Sequence, residues 1–268
     1  MHISKAVQFK LILQKFIGFF CLVLIYFGYW IFILILKKYK IPKLKSLRKQ
    51  FKIITNKINK DPLLICPNHL TFIDSVLLIL IFNSFFDYIK DFHTLAWNFP
   101  KTTHIKKNWF YQIISYLSKC ILIDFNPPKN NISNYKNTNN DPIKIAKYLL
   151  STGEYIMLFP EGHRSLDGKV DTTNFAYGVG KLINELPNIK VLCIYLRGHT
   201  QKCGSNFPNK GDSFYCKMEL FDPSENTVAN TSKNSELRKI RNIAKNIIEH
   251  LAIMEKKYLA LQTDHNNK

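Results

Sequence analysis

The chain has 268 residues, of which 46% are hydrophobic, enough for one sizeable domain with an appendage but short for two full domains. Lys and Arg outnumber Asp and Glu by 38 to 19, and a formal charge of +19 leaves nucleic acid, anionic lipid and phosphorylated substrates as the partner classes to weigh. The six cysteines (Cys21, Cys66, Cys120, Cys193, Cys203, Cys216) lack paired spacing, which speaks against a zinc site or a disulfide framework and for a reducing compartment.

From residue 16 to residue 36 the sequence FIGFFCLVLIYFGYWIFILIL carries no charge. As a single helix rising about 1.5 Å per residue it would cover roughly 30 Å, the hydrocarbon thickness of a bilayer. No small-residue cleavage site follows, so a membrane helix is expected rather than a signal peptide. Tyr26, Tyr29 and Trp30 inside the run fit a helix that is tilted or partly interfacial. Lys37, Lys38, Lys40, Lys43, Lys45, Arg48, Lys49 and Lys52 follow it, against Lys5, Lys10 and Lys15 before it. The positive-inside rule then puts the main domain on the cytoplasmic side of the inner membrane, with the basic collar against anionic lipid. Residues 1–45 are expected as this anchor and collar, and residues 46–268 as the main domain.

Beyond Pro42, strand-like runs at 51–55, 62–66, 92–97, 120–124, 155–159, 189–196 and 214–221 alternate with helix candidates at 75–86, 108–118, 142–151 and 175–186. This alternation predicts an α/β fold, a layered domain with a largely parallel central sheet flanked by helices. Residues 126–141 are polar and Pro-punctuated, the composition of a surface loop. Pro142 then suits a first helical turn, and Gly153 a helix end. Residues 235–258 predict a basic amphipathic helix packed on the domain through Leu237, Ile240, Ala244, Ile247, Leu251 and Met254.

Two stretches carry chemistry. Asn68-His69-Leu70-Thr71-Phe72-Ile73-Asp74 sits between an apolar run and a helix. At such a junction a histidine and an aspartate five positions apart can form a base and its orienting carboxylate. Phe159-Pro160-Glu161-Gly162-His163-Arg164-Ser165 follows another strand, at the kind of strand end where open α/β sheets bind ligands. Arg164 offers a planar fork for a phosphate or carboxylate. Glu161 can accept from a hydroxylated ligand or hold the arginine, and Gly162 permits the tight turn.

The pair of motifs, Asn-His-x-x-x-x-Asp and about ninety residues later Phe-Pro-Glu-Gly-x-Arg-Ser, resembles the 1-acyl-glycerol-3-phosphate acyltransferase family across roughly residues 60 to 200. Leu166-Asp167-Gly168 and Phe175-Ala176-Tyr177-Gly178 extend the resemblance, with Ala176 where the family commonly has lysine. Departures are Phe125 after Ile123-Asp124, where the family has an arginine for the acceptor phosphate, His163 where threonine is commonest, and no proline in Val191-Leu192-Cys193-Ile194-Tyr195. The resemblance implies catalytic His69 and Asp74, and acceptor binding by Glu161, Gly162 and Arg164. It implies acyl transfer from acyl-CoA or acyl carrier protein to a lysophospholipid at the bilayer, with no cofactor and no metal. Nucleic-acid binding has only charge in its favour and no recognition motif. A metal-dependent hydrolase built on His69 and Asp74 would need further ligands, and His93, His104, His163 and His199 are scattered.

Overall fold

The apolar run Leu63–Pro67 forms strand β1, and all five residues are buried. A strand with no polar face needs a covering layer on each side, and the chain supplies both. The computed structural model describes residues 3–59, 61–123, 141–186, 188–223 and 233–266. Within them β1 is the middle strand of a sheet ordered β2 (Trp97–Asn98), β3 (Ile156–Met157), β1, β4 (Lys190–Gly198), β5 (Phe214–Phe221). β1 pairs in parallel with β3 and β4, β2 pairs in parallel with β3, and β5 runs antiparallel to β4.

The helices are α1 (Lys5–Phe20), α2 (Leu22–Trp30) with a π-helical continuation Ile31–Leu36, α3 (Leu44–Lys57), α4 (Asp74–Phe82), α5 (Phe85–Lys90), α6 (Thr102–Ile105), α7 (Trp109–Leu117), α8 (Pro142–Ser151), α9 (Gly178–Glu185) and α10 (Lys233–Asn266). Leu63 and Ile65 of β1 face a core shared with α2, α3 and α4. Leu64 and Cys66 face a second core with α8, α9 and α10. The mixed α/β layering expected from the sequence is thus present.

Several expected elements differ. Residues 51–55 belong to helix α3, where Leu47 and Phe51 lie one turn apart and Phe51 stacks on Phe82 at 4.4 Å. A short apolar run reads equally as strand or buried helix, and here the one-turn spacing wins. The 92–97 run opens as a 3₁₀ turn, Phe92–Thr94, and becomes strand only at Trp97. In 120–124, Cys120 and Ile123 make isolated bridges to Asn98 and Lys101 without forming a strand. Residues 75–86 split into α4 and α5 because Ser84 and Asp87 build a capping box that starts a new helix. Residues 124–140, with Phe125 and most of the expected loop, lie outside the described residues. In α10, Ala244, Ile247, Leu251 and Met254 are buried as expected, whereas Leu237 is exposed.

The largest correction concerns residues 16–36, which do not form one helix. No single described helix is long and apolar enough to cross a membrane; α1 and Leu22–Leu36 meet that test only together, bent by 61°. The reason is docking onto the domain. Gln14 donates to the Tyr116 and Cys120 carbonyls, each at 2.9 Å. Gly18 packs where an added Cβ would come within 2.7 Å of the Leu117 carbonyl oxygen. Past the bend, Tyr29 shares a 2.7 Å hydrogen bond with Ser118, and Arg48 donates to the Tyr26 hydroxyl at 3.0 Å. Leu22, Tyr26 and Ile33 sink into the core, while Phe16, Phe20, Leu24 and Leu36 stay exposed. Both inward and outward faces are apolar, so composition does not separate them.

Candidate active site

β1, β3 and β4 run parallel and end on the same edge of the sheet, and both motifs begin there. Asn68 manages the exit from β1. Its backbone N–H donates to the Ile194 carbonyl at 3.1 Å. Its side chain then donates to the Leu196 carbonyl (3.1 Å) and accepts from the Leu196 N–H (2.7 Å), continuing the ladder after the backbone has turned away. Without that side chain two buried backbone groups of β4 would lack partners.

The turn after Asn68 wraps around the Asp74 carboxylate at the start of α4. Asp74 Oδ2 accepts from the Leu70 and Thr71 N–H groups, each at 2.8 Å, and Oδ1 accepts from the Thr71 hydroxyl. The same Oδ2 lies 3.0 Å from His69 Nδ1. Asp74 is 2% exposed, whereas the His69 side chain keeps 21% of its surface. A buried, fully bonded carboxylate on Nδ1 fixes the tautomer with Nδ1 protonated and leaves Nε2 as a lone-pair acceptor. The five-residue spacing has this physical meaning: it is the length of chain needed to enclose the carboxylate and bring the imidazole back to it. Phe159 stacks on the imidazole at 4.0 Å between ring centroids, which sets the plane of the ring.

The second motif grips the first. The His69 N–H donates to Glu161 Oε1 at 2.7 Å, and the Ser165 N–H donates to the His69 carbonyl at 2.9 Å. Glu161 Oε2 accepts from the Asp171 N–H at 3.2 Å. Glu161, expected to hold the acceptor, is 2% exposed with both oxygens engaged on backbone, so in this geometry it braces the two turns. Burial pushes its carboxyl up to about 8, with the nearby Asp74 and Asp171 charges acting in the same sense, against the two backbone N–H groups. Gly162 has φ +71°, and a Cβ there would meet the Ala176 methyl at 2.9 Å, so the turn needs glycine twice over. His163 is held at both ring nitrogens, by the Glu161 carbonyl (2.8 Å) and Asp171 (3.1 Å), which makes it part of the turn rather than a second free base.

Arg164 points away from this brace, partly exposed, and donates to the Asn206 side chain. Asn206 lies in the loop after β4, and its carbonyl accepts from the Phe72 N–H at 3.2 Å. Gly204 of that loop lies so close to Ser165 that a Cβ would sit 1.8 Å from its carbonyl oxygen. The loop therefore closes over both motifs. The five residues expected at the site thus converge on one end of the sheet, around His69. Sequence reading missed Thr71, Phe159 and Asn206 as working parts. Thr71 and Phe159 lay inside the quoted motifs, whereas Asn206 had no local signal. Among the described residues no three His, Cys, Asp or Glu side chains form a metal-ligand group.

A largely parallel sheet covered on both faces, with its polar side chains gathered at the carboxyl ends of the parallel strands, defines an α/β domain of the kind that binds ligands at that edge. A family model described as Acyltransferase matches residues 48–215, well over half of the chain and all of the site just described, and the protein belongs to that acyltransferase family. A comparison with curated proteins finds no match.

Proposed function

We propose that the protein transfers a fatty acyl group from a thioester donor to the free hydroxyl of a lysophospholipid, with 1-acyl-glycerol-3-phosphate becoming phosphatidic acid as the leading case. The observation that carries this reading is the 3.0 Å contact of His69 Nδ1 with Asp74, which frees Nε2 to take the hydroxyl proton. The acceptor oxygen attacks the thioester carbonyl, the C–S bond breaks, and His69 returns its proton to the departing thiolate. Asp74 steadies the imidazolium between these steps. A positioned base of this kind contributes roughly 10²–10⁴-fold to the rate. No acyl-enzyme, metal or cofactor is required. Arg164 supplies the donors for the acceptor headgroup, and Gly162 shapes the turn that presents it. Membership of the acyltransferase family supports the reaction class.

The bilayer is the proposed source of the acceptor. The exposed apolar faces of α1 and Leu22–Leu36 lie in it, and the lysine collar that follows meets anionic headgroups on the cytoplasmic side of the inner membrane. The donor, acyl-CoA or acyl carrier protein, is acidic in either form and suits a chain of charge +19. The test uses the full chain in mixed micelles with palmitoyl-CoA and a panel of lysophospholipids. An acylated product is expected, and Arg164→Ala should raise the acceptor KM about tenfold while kcat holds. No acylated product with any lysophospholipid, from palmitoyl-CoA or from palmitoyl acyl carrier protein, overturns the reading, and a fall in kcat at unchanged KM removes the headgroup role from Arg164.

A further inference from the structure

Lys37 is the first charged residue after the apolar stretch that ends at Leu36. On a membrane-bound chain this is the depth at which acyl chains give way to headgroups. Its side chain does not simply extend into solvent. The ammonium sits 4.3 Å from the centroid of the Phe207 ring and 5.7 Å from that of Phe32, a cation held on aromatic faces. The platform is tied down: the Gly211 N–H donates to the Lys37 carbonyl at 2.8 Å, and the Tyr39 hydroxyl donates to the Pro208 carbonyl at 2.8 Å. Phe207 also lies 6.5 Å, ring to ring, from Phe72, three residues beyond His69.

Phe207 directly follows Asn206, the residue that receives Arg164. Two cations, Lys37 from the end of the apolar stretch and Arg164 from the second motif, therefore contact the same dipeptide. Neither has a carboxylate partner among the described residues, although ion pairs form elsewhere on the surface. A doubly charged anion that reaches both side chains would pair with two cations that otherwise lack a counter-charge.

We propose that Lys37 is the second cation of the acceptor site, holding the phosphate of an anionic lysolipid jointly with Arg164. This rests on the lysophospholipid reading above and names the headgroup chemistry of that same site: a phosphomonoester at the membrane surface, gripped from one side by the strand-end turn and from the other by the base of the membrane helices. Lys37 makes no contact with the reacting atoms, so its effect falls on acceptor binding.

The experiment measures equilibrium binding of 1-acyl-glycerol-3-phosphate in neutral detergent micelles to the full chain carrying His69→Ala, which removes turnover from the readout. Adding Lys37→Ala should weaken binding about tenfold, Lys37→Arg should restore it, and Lys181→Ala, on the exposed side of α9, should leave it unchanged. Binding of uncharged monoacylglycerol should be the same in all four chains. Unchanged phosphate-lipid binding in Lys37→Ala overturns the proposal. Equal weakening for both lipids also overturns it, because the platform would then be packing rather than an anion site. Should the chain with His69 intact acylate no acceptor while this binding pattern holds, the acyl-transfer reading falls and the anion site stands.

Discussion

Glu161 illustrates how much one buried side chain can organise. It was legible in the sequence as a charged residue in a strand-end turn, and the natural expectation was contact with substrate. Instead its oxygens take the N–H groups of His69, on the first motif turn, and of Asp171, ten residues further along its own segment. What a local pattern does not reveal is which way a side chain points once a second loop, ninety residues away, closes over it. Its folded-state pKa, raised to about 8 by burial, fixes the sign of a pH effect. A carboxyl raised above its unfolded value of about 4.3 contributes stability in full below that value and loses it as pH rises through the folded one. The melting temperature of the full chain should therefore fall more steeply between about pH 5 and about pH 8 than that of Glu161→Gln. Parallel melting curves across that range would show that Glu161 does not titrate there.

At the scale of elements, the sequence was most informative where a local pattern marks the element and least where the element depends on distant partners. β5 at Phe214–Phe221 and α8 at Pro142–Ser151 match the expected bounds, because alternation marks one and Pro at the first turn marks the other. The long apolar run misled because it has two jobs, one face on the domain and one face outward. A buried charge cluster shows what fastens it. Glu154 receives Lys15 of α1, the fully buried Lys119 (2.6 Å) and the Trp97 indole N–H (2.9 Å). Lys119 holds a left-handed backbone, φ +57°, seldom tolerated by a long side chain unless something secures it. Burial lowers its ammonium to about 8, and the Glu154 carboxylate opposes that shift. Glu154→Ala should cost about 3 kcal/mol in urea unfolding by leaving that ammonium unpaired, and should free α1 in hydrogen exchange. Glu154→Gln, which keeps an oxygen for Lys119 or Trp97, should cost less. A neutral Glu154→Ala would mean that α1 docks by apolar packing alone.

For the whole molecule, the two motifs, the loop after β4 and the C-terminal end of the bent apolar helix pair meet at one edge of the sheet. The motifs announced the chemistry in the sequence, because the five-residue His–Asp spacing and the Glu-Gly-x-Arg turn are local. The clasp of His69 by Glu161 and Ser165, and the loop that brings Asn206 to Arg164, required the fold. Strand ends from two parts of the chain supply His69 and its brace Glu161, and the loop after β4 receives Arg164. Acyl transfer by this chain requires above all that His69 be the base. The direct measurement is turnover of a lysophospholipid with palmitoyl-CoA by the purified full chain, His69→Ala against the unaltered protein, with melting temperatures recorded beside it. With His69 as the base, His69→Ala loses at least about 10²-fold in kcat with the fold retained. Comparable turnover by a folded His69→Ala chain would contradict it.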